Sequence, residues 1–254
     1  GDRVKSFETY LETIEADLVN QAAAESVQTT LRDFAIGWGQ FATSSPAADP
    51  ITTLRANYID NNPNAAGSRQ ALDTPAQAPG AKKWNYDFLH SKVHPNFRRQ
   101  LEARGYADLF LFDPKGNLVY SVMKNDDFAR NFAEGGDLAD SGLGRAFRAA
   151  AALTEPGKVA FEDLGLYAVA GIPASFLATP VFDALSKLIG VMAIEMPIGP
   201  INQMLQDNAN LGQTGESLLV GADKLMRSDS VSTTGNDTLS ATYDYPLVDA
   251  ALGG

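Results

Sequence analysis

Cysteine is absent from the 254-residue sequence, which excludes thiol chemistry, a disulfide framework and any cysteine-based metal site. Positive charge is scarce, because 20 Lys and Arg stand against 31 Asp and Glu and the net charge is −11. Nucleic acid and anionic lipid surfaces are therefore not predicted partners. No apolar run approaches the roughly 20 residues of a membrane span, and no signal peptide opens the chain. We expect any membrane anchor to lie outside this sequence.

Motifs typical of enzymes are also missing. No Gly-x-Ser-x-Gly occurs, and the glycines within 135–144 do not complete a phosphate-binding loop. Asp126 and Asp127 are adjacent in sequence rather than facing each other, which is not the arrangement of a catalytic pair of carboxylates. We predict no enzymatic activity, no catalytic residue and no cofactor.

The sequence contains two histidines, His90 and His94, with Asp87 nearby. A spacing of four residues would place both imidazoles on one face of a helix, as in some zinc sites. Pro95 follows directly, and the residue before a proline avoids the α conformation. We therefore expect the helix that contains His90 to have ended by His94. Both histidines are interpreted as buried structural residues, and no metal site is predicted.

The clearest structural signal lies in residues 105–128, GYADLFLFDPKGNLVYSVMKNDDF. Residues 106–112 are apolar apart from Asp108, the segment DPKGN has turn chemistry, and residues 118–123 are again typical of a strand. This pattern predicts a β-hairpin whose first strand is covered on both faces. Alternation along the second strand predicts Leu118, Tyr120 and Val122 on one face.

A long helix is predicted over residues 4–41, about 55 Å in length. Its apolar residues form two stripes, separated by a phase slip through the alanine-rich residues 21–25. The first stripe consists of Phe7, Leu11, Ile14 and Leu18, and the second of Val27, Leu31, Phe34, Trp38 and Phe41. Such a helix is longer than one small domain can cover, so we predict a parallel homodimer through the first stripe. The alternative is that the helix packs only within its own chain.

The remaining elements follow in an order typical of one fold class. A helix over 95–104 ends at Gly105, the hairpin follows, and a helix over 141–153 begins at an N-cap formed by Asp140 or Ser141. Strands are predicted over 158–164, 174–182 and 188–196, and a helix over 198–206. This order predicts an α+β fold with a five-stranded antiparallel sheet of PAS type.

A second hairpin-like phrase follows over 215–223 and 225–229 and echoes the first one. We predict three regions: a long N-terminal helix over 1–45, a PAS-like module over 46–208, and the start of a smaller PAS-like module over 209–254. This smaller module is expected to be partial, because too few strands follow residue 230 to complete a sheet.

Several phrases together resemble a known family. They are YIDNNPN at 58–64, YDFLH at 86–90, GYADLFLFDPKGNLVYSV, KNDDF at 124–128, and TGESLLVGADKLMRSDS. From about residue 57 to 230 the chain resembles the double-Cache, PAS-like periplasmic sensor domain of bacterial methyl-accepting chemotaxis proteins, and sensor histidine kinases carry similar domains. The resemblance implies a ligand-sensing ectodomain of a membrane receptor at the periplasmic face of the inner membrane. The chain lacks the Tyr, Arg, Trp and Tyr cluster that binds a ligand carboxylate in the amino-acid-sensing branch, so an amino acid ligand is not expected.

A ligand pocket is expected between the concave sheet face and the loop and helix after the second strand. The candidate ligand-binding residues are Tyr120, Lys124, Asp126, Asp127, Phe161, Tyr167 and Phe176. The charged residues would fix the charge of a small polar solute, the tyrosines would form hydrogen bonds with it, and the phenylalanines would cover it. The alternative is structural: Tyr120 and Phe176 belong to the core, and Lys124 and Asp127 form an ion pair that holds the loop.

These patterns favour the sensor module of a transmembrane receptor, with a chemoreceptor preferred over a histidine kinase. A free periplasmic solute-binding protein is the alternative from a different class. Sequence beyond residue 254 would separate them, because a hydrophobic span followed by long heptads indicates a receptor.

Overall fold

A computed structural model of the chain describes residues 2–76, 82–206, 216–230 and 232–252. These ranges contain seven α-helices and a five-stranded sheet. The helices are α1 (Asp2–Ala23), α2 (Glu25–Thr43), α3 (Pro50–Arg55), α4 (Asn85–Arg104), α5 (Gly142–Ala151), α6 (Ile198–Gln206) and α7 (Pro246–Leu252). The strands are β1 (Asp108–Phe112), β2 (Leu118–Ser121), β3 (Ala160–Tyr167), β4 (Ile172–Phe182) and β5 (Leu188–Glu195). Among the described helices, none has the length and apolar character needed to cross a membrane.

The N-terminal region is two helices, so the prediction of one continuous helix is wrong. Ala24 separates α1 from α2 with an extended backbone, φ −68° and ψ 130°. The break lies inside the phase slip of the apolar pattern, because a change of direction there lets both stripes reach the same core. Ile14 and Leu18 are buried in that core together with the apolar stripe of α2. The predicted dimer surface of α1 is therefore wrong for these two residues, which have no exposed side chain to offer a partner.

Helix α4 runs through Pro95, so the predicted helix boundary at His94 is also wrong. The imidazole of His94 is held from both sides, by the Tyr120 hydroxyl at 2.7 Å from Nδ1 and by the Gln70 carbonyl at 2.8 Å from Nε2. These tertiary contacts outweigh the local preference of a residue before proline. The helix ends at Gly105 as predicted, with a left-handed φ of 71°.

The sheet has the strand order β2-β1-β5-β4-β3, and all its pairs are antiparallel. The predicted hairpin forms β1 and β2, and the last strand returns to the middle of the sheet beside β1, as in a PAS-type sheet. A bulge interrupts the pairing of β1 with β2, because Leu111 is opposite Tyr120 whereas Phe112 is opposite Leu118. Leu118 and Tyr120 therefore lie in different cores, and the predicted alternation is wrong at this point.

Helices cover both faces of the sheet. One face packs against α1, α2 and α4, and buries Leu109 and Leu111 of β1. The other face packs against α5 and buries Phe110 and Phe112 of β1. We call this second face the α5 face.

The C-terminal residues contact the sheet through one buried arginine. Arg227 pairs with Asp163 of β3 at 2.9 Å and with Asp223 at 3.0 Å. Residues 216–230 form a turn with an isolated bridge between Val220 and Met226 rather than two strands. Gly215, where the second hairpin was predicted to begin, lies outside the described residues, and the predicted division into three regions stays a prediction.

Candidate functional site

Three polar side chains interrupt apolar strands on the α5 face. Asp108 and Glu195 are direct partners in the register of β1 with β5. Ser121 is opposite Phe110 in the register of β2 with β1, and therefore lies on the same face. All three are buried. Antiparallel pairing thus brings together polar residues that are far apart in the sequence.

The loop after β2 adds a third carboxylate to this group. Asp127 is buried, and the Tyr167 hydroxyl donates to its Oδ2 at 2.7 Å. The Tyr167 ring in turn packs edge-on against Phe176, with ring centroids 5.1 Å apart. We call the residues Asp108, Ser121, Asp127, Tyr167 and Glu195 the acidic cluster.

Two arginines hold this loop from the solvent side. Arg55 donates to the backbone carbonyls of Asp126 and Phe128, at 2.8 and 2.9 Å. Arg69 donates to the Lys124 carbonyl at 3.2 Å and pairs with the Asp126 carboxylate at 2.8 Å. The loop contains left-handed residues other than glycine, including Lys124 at φ 56°. These contacts offset the cost of that backbone conformation and keep Asp127 directed inward.

Three oxygens of the acidic cluster are buried without a hydrogen-bond partner among the described residues: Asp108 Oδ2, Ser121 Oγ and Asp127 Oδ1. The other oxygen of Asp108 is well paired, because it accepts from the backbone N–H groups of Leu109, Val122 and Met123 at 2.7 to 3.2 Å. Buried polar atoms are nearly always paired in folded proteins, and an unpaired one costs about 1 to 3 kcal/mol. The cluster therefore has spare acceptors for a donor.

Burial raises the pKa of each carboxyl in the cluster. The pKa of Asp127 rises to about 6, although the hydrogen bond from Tyr167 opposes the shift. The pKa of Glu195 rises to about 7 through burial and then the charge of Asp127. Burial, followed by the charge of Asp127, also raises the pKa of Asp108 well above its usual range. The cluster therefore changes its charge near neutral pH.

Lys124 borders the cluster but does not close an ion pair with it. Its ammonium group donates to the Ser121 carbonyl and lies over the rings of Tyr120 and Phe128, 4.2 and 4.7 Å from their centroids. Burial lowers the pKa of Lys124 to about 7, whereas Asp108 and Asp127 act in the opposite direction. The structural alternative given above was an ion pair between Lys124 and Asp127. No such ion pair forms among the described residues.

The other sequence-predicted site residues lie elsewhere. Tyr120 is on the opposite face of the sheet, bonded to His94 and stacked on Phe34 with centroids 4.9 Å apart. The Asp126 side chain faces solvent and pairs with Arg69. Phe161 is 55% exposed and lines a separate cavity of about 40 Å³.

Of the seven candidates, Asp127, Tyr167 and Phe176 are brought together, and Lys124 lies beside them. Sequence reasoning missed Asp108, Ser121 and Glu195 as site residues. Asp108 and Glu195 did carry a signal, because each is the acidic exception in an otherwise apolar strand. No such signal marked Ser121, because serine is common on the exposed face of a strand.

The two histidines form a separate buried contact. Their rings stack with centroids 4.3 Å apart, and burial lowers the pKa of His94 to about 3. Burial also lowers the pKa of His90. Among the described residues, no group of three His, Cys, Asp or Glu side chains is arranged to hold a metal ion. The histidines are therefore neutral core residues.

Comparison with protein-family models finds no match, and comparison with curated proteins finds none either. Solved structures with a similar fold include the sensor domain of the V. cholerae histidine kinase DctB, at 17% identity and a TM-score of 0.36. That similarity covers 72% of this chain and 61% of the DctB domain, so the chain spans less than two thirds of its length.

Two chemoreceptor domains are also similar. The ligand-binding domain of Pseudomonas fluorescens CtaA, solved with L-serine, is 14% identical over 93% of this chain and 76% of that one, with a TM-score of 0.41. The sensory domain of Campylobacter jejuni Tlp3, solved with isoleucine, is 10% identical over 96% of this chain and 80% of that one, with a TM-score of 0.44. The three proteins are sensor or ligand-binding domains of receptors. Their identities and TM-scores are too low to assign a ligand or a residue role to this chain.

Proposed function

We propose that this chain is the extracytoplasmic sensor region of a transmembrane signalling receptor and that it binds a small polar solute at the acidic cluster. The observation that carries the proposal is the set of buried, unpaired oxygens on the α5 face. Burying carboxylates on central strands destabilises a fold, and such groups are typical of binding sites. The proposed role is binding and signalling rather than catalysis.

The sheet offers a physical route from the site to the N-terminal helices. Asp108 and Glu195 lie on β1 and β5, the adjacent strands whose opposite face packs against α1 and α2. Leu109 and Ile194, each next to one of these carboxylates in sequence, are buried in that opposite core. A ligand that binds one sheet position better than another shifts the population toward that position. The helices would then move with the strands.

The class of receptor is also part of the proposal. A chemoreceptor at the periplasmic face of the inner membrane is preferred, and the sensor of a histidine kinase is the close alternative. A free periplasmic solute-binding protein would lack the membrane helices that both receptors carry. Expression of the full-length gene with a C-terminal reporter, followed by membrane fractionation, separates a receptor from a free protein.

We also propose that the domain self-associates through the outer face of α2 and α4 rather than through α1. Ile36 and Phe88 are 59% and 73% exposed on this face, beside a groove of about 290 Å³. A cavity of about 150 Å³ is enough to hold benzene, so the groove can receive the Phe88 ring of a second copy. Asp33 and Lys92 also line the groove and carry opposite charges. The proposed contact has a two-fold axis that passes between the two charges, so that Asp33 of each copy lies beside Lys92 of the other.

A thermal-shift screen of small polar metabolites tests the binding proposal. A ligand at 100 times its dissociation constant stabilises the folded state by about 2.7 kcal/mol. Asp127→Asn should weaken binding by about 1 to 3 kcal/mol, because a charge-assisted hydrogen bond is lost. Glu134→Gln is the control, since that carboxylate is exposed and lies outside the cluster. Equal affinities of wild type and Asp127→Asn, with both folded by circular dichroism, would move the site away from the cluster.

A further inference from the structure

We infer that the acidic cluster selects a small organic cation, a primary ammonium compound that carries no carboxylate. This inference rests on the proposed sensing function and adds the chemical class of the ligand. Three features carry it. They are the excess of negative charge in the cluster, the unpaired acceptor atoms, and the hydrogen bonds that the neighbouring lysine and arginines already donate to the protein.

The balance of charge favours a cation. Asp108, Asp127 and Glu195 are buried together beside a single buried lysine, Lys124, so the acids outnumber the cation. The charge of Asp127 raises the pKa of both other carboxyls. A positive charge placed among them would favour their ionised forms and recover part of the cost of burial. A negative charge would raise that cost further.

The unpaired atoms are acceptors. Asp108 Oδ2, Asp127 Oδ1 and Ser121 Oγ come from β1, from the loop after β2 and from β2 itself. The two carboxylate oxygens accept only, when ionised, and the serine hydroxyl can also accept. A primary ammonium group donates three hydrogen bonds, which is a match in number and in chemistry. The rings of Phe176 and Tyr167 pack against each other beside Asp127, to which Tyr167 donates a hydrogen bond, so the surroundings of these atoms are largely apolar.

The cations around the cluster are already paired. The Lys124 ammonium donates to the Ser121 carbonyl and lies over aromatic rings. The Arg55 guanidinium donates to the carbonyls of Asp126 and Phe128. On α5, Arg145 pairs with Glu162 and Arg148 donates to the Ala139 carbonyl. Each of these four cations already donates to an acceptor of the protein, so a ligand carboxylate would have to compete with that acceptor.

A matched four-carbon series tests the charge of the ligand. We would titrate 1-butylamine, 1-butanol, butyrate and γ-aminobutyrate by calorimetry, with thermal shift as a second readout. Butylamine should bind at least tenfold more tightly than each of the other three, since it alone supplies a cation without a carboxylate. Its affinity should rise from pH 5.5 to pH 8, because Asp127 and Glu195 ionise over that range. Asp108 and Lys124 face the same region and contribute to this dependence. Tyr167 also faces it but stays protonated, because burial and the charge of Asp127 raise its pKa further above its usual value.

Two variants locate the binding. Asp127→Asn and Glu195→Gln should each weaken butylamine binding at least tenfold, whereas Glu134→Gln, at an exposed carboxylate, should leave it unchanged. Glu195→Gln keeps the size of the side chain and removes a buried charge, so it is expected to stay folded even if Asp127→Asn does not. Circular dichroism checks each variant.

The outcomes separate this inference from the function on which it rests. A butyrate or γ-aminobutyrate affinity that equals or exceeds that of butylamine, and that falls in Asp127→Asn, would overturn the cation inference and support the sensing function. Absence of binding by the whole series and by the metabolite screen would overturn both. Butylamine binding that is unaffected by both cluster variants would also overturn the inference.

Discussion

At the scale of single residues, the fold is organised around polar groups inside apolar strands. Asp108 and Glu195 face each other across the central pair of strands, where packing alone would favour apolar side chains. Tyr167 pairs with Asp127, yet the other oxygen of that carboxylate has no hydrogen-bond partner in the part of the chain that the structure describes. The stability lost at these positions is therefore concentrated at one site, as is usual where a ligand binds.

Replacing Glu195 with Gln should raise the melting temperature at pH 8 and change it little at pH 4.5. The folded pKa of Glu195 is about 7 and the usual value is 4.5, so its contribution to stability is present at low pH and is lost as the pH rises through 7. The loss reaches about 3 kcal/mol, and Gln avoids it because it carries no charge. Urea unfolding at both pH values measures the difference.

Glu134→Gln is the control for this prediction, because Glu134 is exposed and should give little change at either pH. Lys124 has a lowered pKa of about 7, which makes the fold more stable as the pH rises above that value. That contribution is common to wild type and variant, so the difference between them isolates Glu195. Equal stability of the two proteins at pH 8 would show that the Glu195 carboxylate is solvated.

At the scale of elements, local signals compete with tertiary contacts. The apolar period breaks within residues 21–25, and the chain turns at Ala24 so that α1 and α2 pack on the same core. Pro95 would end an isolated helix, but the contacts of His94 hold α4 together. In both places the burial of side chains decides where the helix begins or ends.

Ala24→Ser should stabilise the protein by about 1 kcal/mol. Ala24 is the N-cap of α2, and its side chain cannot accept a hydrogen bond from the first turn. A serine hydroxyl at the same extended backbone position can do so. Ala23→Ser, one residue earlier and inside α1, is the matched control and should be neutral or slightly destabilising. Chemical denaturation of both variants measures the effect, and equal results for the two would contradict the capping argument.

At the scale of the whole molecule, the sheet lies between α5 on one face and α1 and α2 on the other, and a different function is proposed for each side. The α5 face holds the acidic cluster, and the opposite face packs on α1 and α2. The outer surface of α2 and α4 is then left for self-association, with Phe88 and Ile36 exposed on it. The sheet therefore lies between the proposed ligand site and the proposed contact with a second copy.

Charge reversal tests this contact. Asp33→Lys and Lys92→Asp should each lower the weight-average mass in sedimentation equilibrium at high protein concentration, because each places like charges beside each other across the two-fold axis. The double variant should restore the wild-type mass. Phe88→Glu should abolish association, and Leu185→Glu is the control, since Leu185 is 88% exposed outside this face. A wild-type protein that stays monomeric at millimolar concentration would overturn the proposal.

Much of the local structure could be predicted from the sequence. The hairpin of β1 and β2, the three later strands, α5, α6 and the cap at Gly105 all follow from turn residues and apolar periodicity within short windows. Asp127, Tyr167 and Phe176 were also among the predicted site residues. The strands, helices and cap are predictable because the forces that decide them act between neighbours in the chain, whereas the contact between these three site residues is long-range.

Only the tertiary structure decided which residues share the candidate site. Asp108 meets Glu195 because β5 inserts between β1 and β4, and no local pattern encodes that pairing. The bulge in β2 places Tyr120 on the face opposite to the cluster. The sequence by itself determined which segments become strands and helices, since periodicity and turn chemistry are local. The composition and charge of the site depend on strand order and register, which are set by long-range packing.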